Sequence, residues 1–342
     1  MSKRVLITGG AGFIAHHAIN EILRRTDWEV VSLDRLDYSG NLNRLHDILN
    51  DLPADQKKRV KIVYHDLKAE LNPMIVADIG RIDYVVHMAA GSHVDRSITF
   101  PEEFVMDNVV GTCNILNYGR HLDSLEKFIY FSTDEVFGPA PNGIKYDEYA
   151  RYNSTNPYSA TKAGAEELAV AFENTYKMPM IISHTMNVFG ERQHPEKFIP
   201  MCIKRARDGE VVTIHSDPSK TVAGSRHYIH AADVADAMMV LLENDVHQPI
   251  NDNSGIRAQK YNIVGGEELS NLDLAKIIAE AQGKELKYEM VDFHSARPGH
   301  DLRYAMSGDR MKDLFGWEPV PVRDRIAEVV EWTLKNDRWL KA

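Results

Sequence analysis

Cysteine is nearly absent: the 342 residues contain two, Cys113 and Cys202. Each lies in an apolar segment and neither has a partner at metal-ligand spacing, which excludes a disulfide scaffold and a zinc ribbon. Both read as buried thiols of a reducing compartment, and no metal site is expected. No apolar run approaches the roughly 20 residues that a bilayer-spanning helix needs. Met1-Ser2-Lys3-Arg4 leads straight into strand-like residues, so no secretory leader is expected and a cytoplasmic location is. Positive charge is in deficit, with 40 Lys and Arg against 50 Asp and Glu and a formal net charge of −10. Nucleic acid and anionic membrane would each favour a basic face, so neither is an expected partner. A small anionic ligand needs only a local cluster of cations and backbone N–H groups. Repeats and low-complexity tracts are also missing. The remainder, 44% hydrophobic and 26% charged, is the composition of an ordinary globular enzyme with room for about two domains.

The chain alternates strand and helix signals. Arg4 to Thr8 is a short apolar strand, followed at once by Gly9-Gly10-Ala11-Gly12-Phe13-Ile14-Ala15, a helix from about Ile14 to Arg25, and a strand from Glu29 to Leu33 that ends in Asp34. Glycines let the backbone approach a pyrophosphate, whose charge sits at the helix N-terminus. Asp34 can accept hydrogen bonds from a ribose diol and would repel a 2′-phosphate, which points to NAD rather than NADP. Further strands are expected at Val60–Tyr64, before His65-Asp66-Leu67, and at Tyr84–His87, before Met88-Ala89-Ala90. A long helix is expected from Phe104 to Gly119 and a buried strand over Lys127–Phe131. Strands alternating with helices predict an α/β fold, a Rossmann-type doubly wound parallel sheet.

Phe131-Ser132-Thr133-Asp134-Glu135-Val136-Phe137-Gly138 falls at the carboxyl end of that last strand, where open α/β sheets bind ligands. Two adjacent carboxylates raise the pKa of one partner, so one can donate a proton while the other accepts. The competing reading is a capping box, with Ser132 and Glu135 capping a helical turn. Downstream, Asn156 is a good N-cap and Pro157 a good first helical residue for a helix reaching about Lys177. Tyr158 and Lys162 then lie one turn apart on one face. A lysine ammonium beside a phenol lowers its pKa and makes it a usable base. Without the dinucleotide site the pair would read as surface decoration.

The second half carries no further glycine fingerprint. Helices are expected from Pro195 to about Asp208, over Ala232–Glu243, Leu272–Ala281 and Arg323–Lys335, and strands at Val211–His215, Tyr261–Val264 and Leu286–Val291. A polar loop joins His215 to Arg226, and Arg297-Pro298-Gly299-His300-Asp301 is another loop. This half is expected to supply a smaller α/β substrate-binding domain. The expected boundaries are 1–190 with 228–265 for the NAD-binding domain, and 191–227 with 266–342 for the nucleotide-sugar-binding domain. Lys197, Arg226 and Arg297 could converge on phosphates.

These motifs together resemble the extended short-chain dehydrogenases/reductases, and within them the dTDP-glucose 4,6-dehydratases. The resemblance rests on Thr8 to Ile14, Val85 to Ala90, Ser92-His93-Val94-Asp95-Arg96-Ser97, Thr133 to Gly138, Tyr158 with Lys162, Pro195 to Pro200 and Arg297 to Asp301. It implies loss of water from C5 and C6 of a nucleotide hexose through bound NAD. Tyr158, helped by Lys162 and Thr133, would take the 4-hydroxyl proton while hydride leaves C4. Glu135 would remove the C5 proton, Asp134 would protonate the departing C6 hydroxyl, and hydride would return to C6. The resemblance further implies a cofactor lined by Gly9, Gly12, Phe13, Ile14, Asp34, Arg35, Asp66, Leu67, Ala89, Ala90, Tyr158 and Lys162. The nucleotide sugar would be held by Ser92, Thr133, Asn187, Lys197, Phe198, Arg226, Asn262, Arg297 and His300. It also implies a homodimer through a four-helix bundle of the helices at about 104–119 and 157–177.

The sequence departs from the family pattern at Ala15, Gly91, Arg226-His227-Tyr228 and Ala296. The loop from His215 to Arg226 is longer, and the stretch from Glu135 to Tyr158 is shorter. These changes surround the substrate and leave the nucleobase and hexose open, with UDP-glucose or another NDP-hexose as alternatives. A 4-epimerase or decarboxylase on the same scaffold is a second reading, and a non-catalytic nucleotide sensor a third.

Overall fold

A computed structural model describes residues 2–37, 39–246, 258–292 and 302–341. Seven parallel strands form the central sheet: β1 (Arg4–Thr8), β2 (Glu29–Asp34), β3 (Val60–Tyr64), β4 (Tyr84–His87), β5 (Lys127–Thr133), β6 (Met180–Thr185) and the later Gln259–Ile263. Their order is Gln259–Ile263, β6, β5, β4, β1, β2, β3. Every neighbouring pair is parallel. β5 shows why the strands read as unbroken apolar runs. Phe128 and Tyr130 enter the core on one face of the sheet, while Ile129 and Phe131 enter the core on the other. Helices cover both faces, so every side chain from Phe128 to Thr133 is buried. The strand order reverses between β1 and β4, which opens a crevice at the carboxyl ends of the strands.

The remaining strands are β7 (Val188–Phe189), β8 (Val212–Ser216), β9 (Ser225–His227), β10 (Ile229–His230), then β11, which is the sheet strand Gln259–Ile263, β12 (Glu268–Ser270) and β13 (Tyr288–Asp292). β8 pairs with β13 in parallel and β9 with β12 antiparallel. With helices Phe198–Asp208, Asn271–Glu280 and Val322–Lys335 they enclose a third core around Ile203, Ile214, Leu274 and Ile326.

Several elements differ from the expectations above. β5 continues through Ser132 and Thr133 because both keep the ladder with His184 and Thr185 of β6. The helix expected over 104–119 is three pieces: Pro101–Phe104, a π-helical turn at Val105–Val110, and Gly111–Gly119. The wide turn coincides with Asn108, whose side chain brackets Gly91, accepting from its N–H at 2.7 Å and donating to its carbonyl at 3.1 Å. The helix expected from Pro195 starts at Phe198, capped by Lys197. The polar stretch after His215 contains β9 and is closed by Asp217, which accepts the amides of Thr221 and Val222. Helix Pro157–Tyr176 is as read, with a reciprocal Asn156–Ser159 capping box. No described helix is long and apolar enough to cross a membrane.

Candidate active site

The glycine turn fits a dinucleotide for steric reasons. Gly9 has φ +70°, and a Cβ there would lie 2.9 Å from the backbone N and Cα of Ala89. Gly12 caps helix Phe13–Arg25, whose first turn carries no acid and whose cap adds no side chain. Its amides therefore offer an uncontested anion site. Asp34, at the end of β2, is fixed by the amides of Ala11 at 3.0 Å and Leu36 at 2.7 Å. Arg35 is committed to Asp107, which raises its pKa, and also to Asp37. These residues suit NAD, with the Asp34 carboxylate standing where a 2′-phosphate would meet its charge.

Behind the turn, His87 is wholly buried between Thr8 at 2.7 Å and Thr112 at 2.9 Å. Burial pushes its pKa down to about 3, so it stays neutral and pins the end of β4. One cleft of about 570 Å³ runs from this turn past the end of β5 to β9. It collects Gly9, Gly12, Phe13, Ile14, Asp34, Arg35, Asp66, Leu67, Ala89, Ala90, Ser92, Thr133, Asp134, Glu135, Tyr158, Lys162, Asn187, Lys197, Phe198 and Arg226 from separate stretches of chain.

At the head of β5 the capping reading fails in its expected form. Thr133, not Ser132, caps the single 3₁₀ turn Asp134–Phe137, accepting the Glu135 amide at 3.4 Å. The Ser132 hydroxyl instead donates to Glu166 at 2.7 Å. Thr133 donates to Asp134 Oδ1 at 2.9 Å, while Asp134 Oδ2 is buried and has no hydrogen-bond partner among the described residues. Burial, and then the neighbouring Glu135 charge, pushes the Asp134 pKa up to about 7. Asn156 donates to Glu135 Oε2 at 3.0 Å, so the helix cap also aims this second carboxylate. The two acids thus have different environments, one arranged to hold a proton and one to accept one.

Tyr158 and Lys162 are both buried on the inner face of their helix. The lysine donates to the carbonyl of Phe131 at 2.6 Å and lies 4.3 Å from the centre of the Tyr130 ring. The expected lowering of the Tyr158 pKa is not found. Burial, followed by the charge of Glu135, pushes it up, and only the Thr133 hydroxyl opposes this. Burial also brings Lys162 down to about 7, so its charge is itself conditional.

One expected substrate residue, Asn262, is not brought to the cleft. Asn262 is completely buried on β11, donating to the carbonyls of Tyr146 and Ser307 and meeting His184 at 3.0 Å. Its side chain is spent on structure. Arg297 and His300 lie outside the described residues, as does Ala296. Gly91 has a local reason: a Cβ there would come within 3.1 Å of the Phe104 ring. Arg226 reaches the cleft beside Tyr304, with its guanidinium 4.7 Å from the ring centre.

Residues missed by sequence reasoning include Arg44 and Glu166. Arg44 is buried and ties three carbonyls together: Ala11 of the glycine turn at 3.1 Å, Ser39 at 2.7 Å and Arg192 at 3.1 Å. Glu166 gathers Ser132, His184, Lys260 and Tyr152 around one buried carboxylate. A charged residue at an inward helical position was the only available signal for either.

A family model described as GDP-mannose 4,6 dehydratase matches residues 6–328. A Mus musculus protein described as dTDP-D-glucose 4,6-dehydratase is 35% identical over 98% of this chain and 90% of its own length. A low-salt glycan biosynthesis protein of Haloferax volcanii is 39% identical over 97% of this chain and 99% of its own. Among solved structures, a dTDP-glucose 4,6-dehydratase of Streptomyces venezuelae with NAD bound gives a TM-score of 0.84 at 32% identity, covering 99% of both chains. The chain belongs to the GDP-mannose 4,6-dehydratase family, within the extended short-chain dehydrogenases/reductases.

Proposed function

We propose that this protein is an NAD-dependent NDP-hexose 4,6-dehydratase acting on dTDP-glucose. The observation that carries the reading is Asp134, a buried carboxyl with one oxygen that has no partner among the described residues, beside a second carboxylate, in the cleft that holds the glycine turn. An epimerase has no proton to deliver to a leaving hydroxyl and no use for such an acid. The proposed cofactor residues are those of the glycine turn with Asp34, Arg35, Asp66, Leu67, Ala89 and Ala90. A nicotinamide held by these residues would supply reversible hydride acceptance between C4 and C6. Tyr158, with Thr133 beside it, takes the 4-hydroxyl proton, and a charged Lys162 favours its phenolate form. The resulting ketone acidifies C5–H, which Glu135 removes while Asp134 protonates the C6 hydroxyl as it leaves. Ser92, Asn187, Lys197, Phe198 and Arg226 are proposed to hold the nucleotide sugar, with cations at the phosphates.

The domain division at 191–227 and 266–342 is part of the proposal, supported by the separate core around Ile203 and Ile326. So are a cytoplasmic location and a homodimer. Ile98, Phe100, Val105 and Met106 are each about 40–50% exposed on the segment packed against helix Pro157–Tyr176, an apolar face that a second copy would cover. The test is mass spectrometry of the purified protein with dTDP-glucose, UDP-glucose, GDP-mannose, CDP-glucose and UDP-N-acetylglucosamine. Loss of one water from dTDP-glucose without added NAD is the expected result. Unchanged mass with an altered sugar would indicate epimerisation, and NAD binding without turnover a sensor.

A further inference from the structure

Behind the cleft, helix Pro157–Tyr176 carries Glu166 one turn after Lys162, inside the sheet-facing layer and fully buried. An isolated carboxylate there would be neutral, since burial disfavours its charge. It is instead surrounded by donors. Ser132 gives a hydrogen bond at 2.7 Å, Lys260 at 2.7 Å and His184 at 3.1 Å, with the Tyr152 hydroxyl as a fourth. Against the cost of burial, His184 and Lys260 hold Glu166 well below the usual carboxylate range. The group is therefore a permanent buried negative charge. One of its contacts leads directly to the catalytic residues, and its charge acts on another of them. Ser132 is the residue before Thr133 and itself lines the cleft. Lys162 shares the inward face of the helix, and Glu166 is the charged group that offsets burial at its ammonium.

From this geometry, and resting on the dehydratase reading above, we propose that Glu166 is a positioning residue: it supplies the buried counter-charge for the Lys162 ammonium and, through Ser132, fixes the end of β5 that carries Thr133, Asp134 and Glu135. Lys260 is part of the same device. It neutralises Glu166 from β11, so the strength of the counter-charge felt by Lys162 is set by a residue 98 positions further along the chain. The titratable groups around Lys162 are Tyr158 and Glu166 on its own helix, Tyr130 on β5 and His87 on β4. The Asp134–Glu135 turn, helices 94–99 and 101–104 and the turn at 105–110 pack against the same helix. These elements carry Asp134 and Glu135, and Asp95, Arg96, Glu102, Glu103 and Asp107. Lys162 sits in a site where its charge is lost near neutrality, so a change at Glu166 has a pH signature.

The sign is fixed. Removing the Glu166 charge disfavours the ammonium, so deprotonation of Lys162 moves to lower pH and the alkaline limb of kcat moves with it. Glu166→Gln is expected to lower kcat about tenfold at alkaline pH, the consequence of a displacement of roughly one pH unit, while remaining close to the parent at acidic pH. Glu166→Gln combined with Lys260→Met removes both buried charges and is expected to return the limb most of the way. Glu166→Asp keeps the charge and should keep the limb, which serves if the glutamine variant does not fold. The 13Cε resonance of Lys162 in NAD-loaded protein, titrated without substrate, reads the same displacement without turnover. A uniform loss at all pH values, or an unmoved Lys162 titration in Glu166→Gln, overturns the proposal. Absence of water loss in the parent protein would instead overturn the dehydratase reading and leave the Lys162 titration to decide this one.

Discussion

Asp134→Asn is expected to cost activity and yet stabilise the protein as the pH rises. In the folded protein Asp134 binds its proton up to about 7, whereas an ordinary aspartate releases it near 3.8. Between those values the folded state holds more protons than the unfolded one, so stability falls as pH rises through the window. The penalty is absent below the lower value and complete above the upper one, where it reaches roughly 4 kcal/mol. Asparagine keeps the acceptor for Thr133 but buries an amide where Asp134 Oδ2 now has no partner among the described residues, at a cost of about 1–3 kcal/mol. That cost does not depend on pH and cancels when the two proteins are compared at two pH values. The stability of the variant relative to the parent should therefore rise by roughly 3 kcal/mol between pH 5 and pH 8. For a chain of this length that corresponds to a rise of about 4 °C in the difference of Tm. Differential scanning calorimetry of both proteins at the two pH values measures it. A Tm difference independent of pH would refute the assignment of Asp134 as the group that holds its proton to neutrality.

Three further outcomes are expected. Tyr158→Phe should abolish oxidation, and with it exchange of the C5 proton with solvent, whereas Asp134→Asn should retain exchange and lose elimination; deuterium uptake from heavy water separates them. Gly9→Ala should lose NAD binding in a fluorescence titration, because φ +70° and a Cβ 2.9 Å from the Ala89 backbone leave it no room. Arg44→Met should release NAD on dialysis, since the glycine turn loses its tie to Ser39 and Arg192; NAD content measured after extensive dialysis checks this.

Much of the cofactor side was legible in the sequence because its determinants are local. A glycine turn between a strand and a helix, and Asn156-Pro157 before Tyr158, specify backbone shapes within a few residues of themselves. The interior was less legible. The π-helical turn at Val105–Val110 has ordinary helical composition, and only the distant Gly91 that Asn108 grips gives it a reason. Asn262 is implied as a ligand contact only by the family resemblance. It is instead held between two carbonyls and His184. The Glu166 cluster joins a helix, β5, β6 and β11, which no periodicity could bring together. The Tyr158–Lys162 pair was found by spacing, but the direction of the tyrosine's shift depends on burial and Glu135, which spacing does not show.

The central claim is that one cleft oxidises C4, eliminates water and reduces C6 without releasing hydride. The most direct test uses dTDP-glucose carrying deuterium at C4, incubated with the purified protein and no added NAD. The account predicts a product lighter by one water that retains the deuterium, now at C6, in the NMR spectrum. Loss of the label to solvent, or its retention at C4, would contradict it.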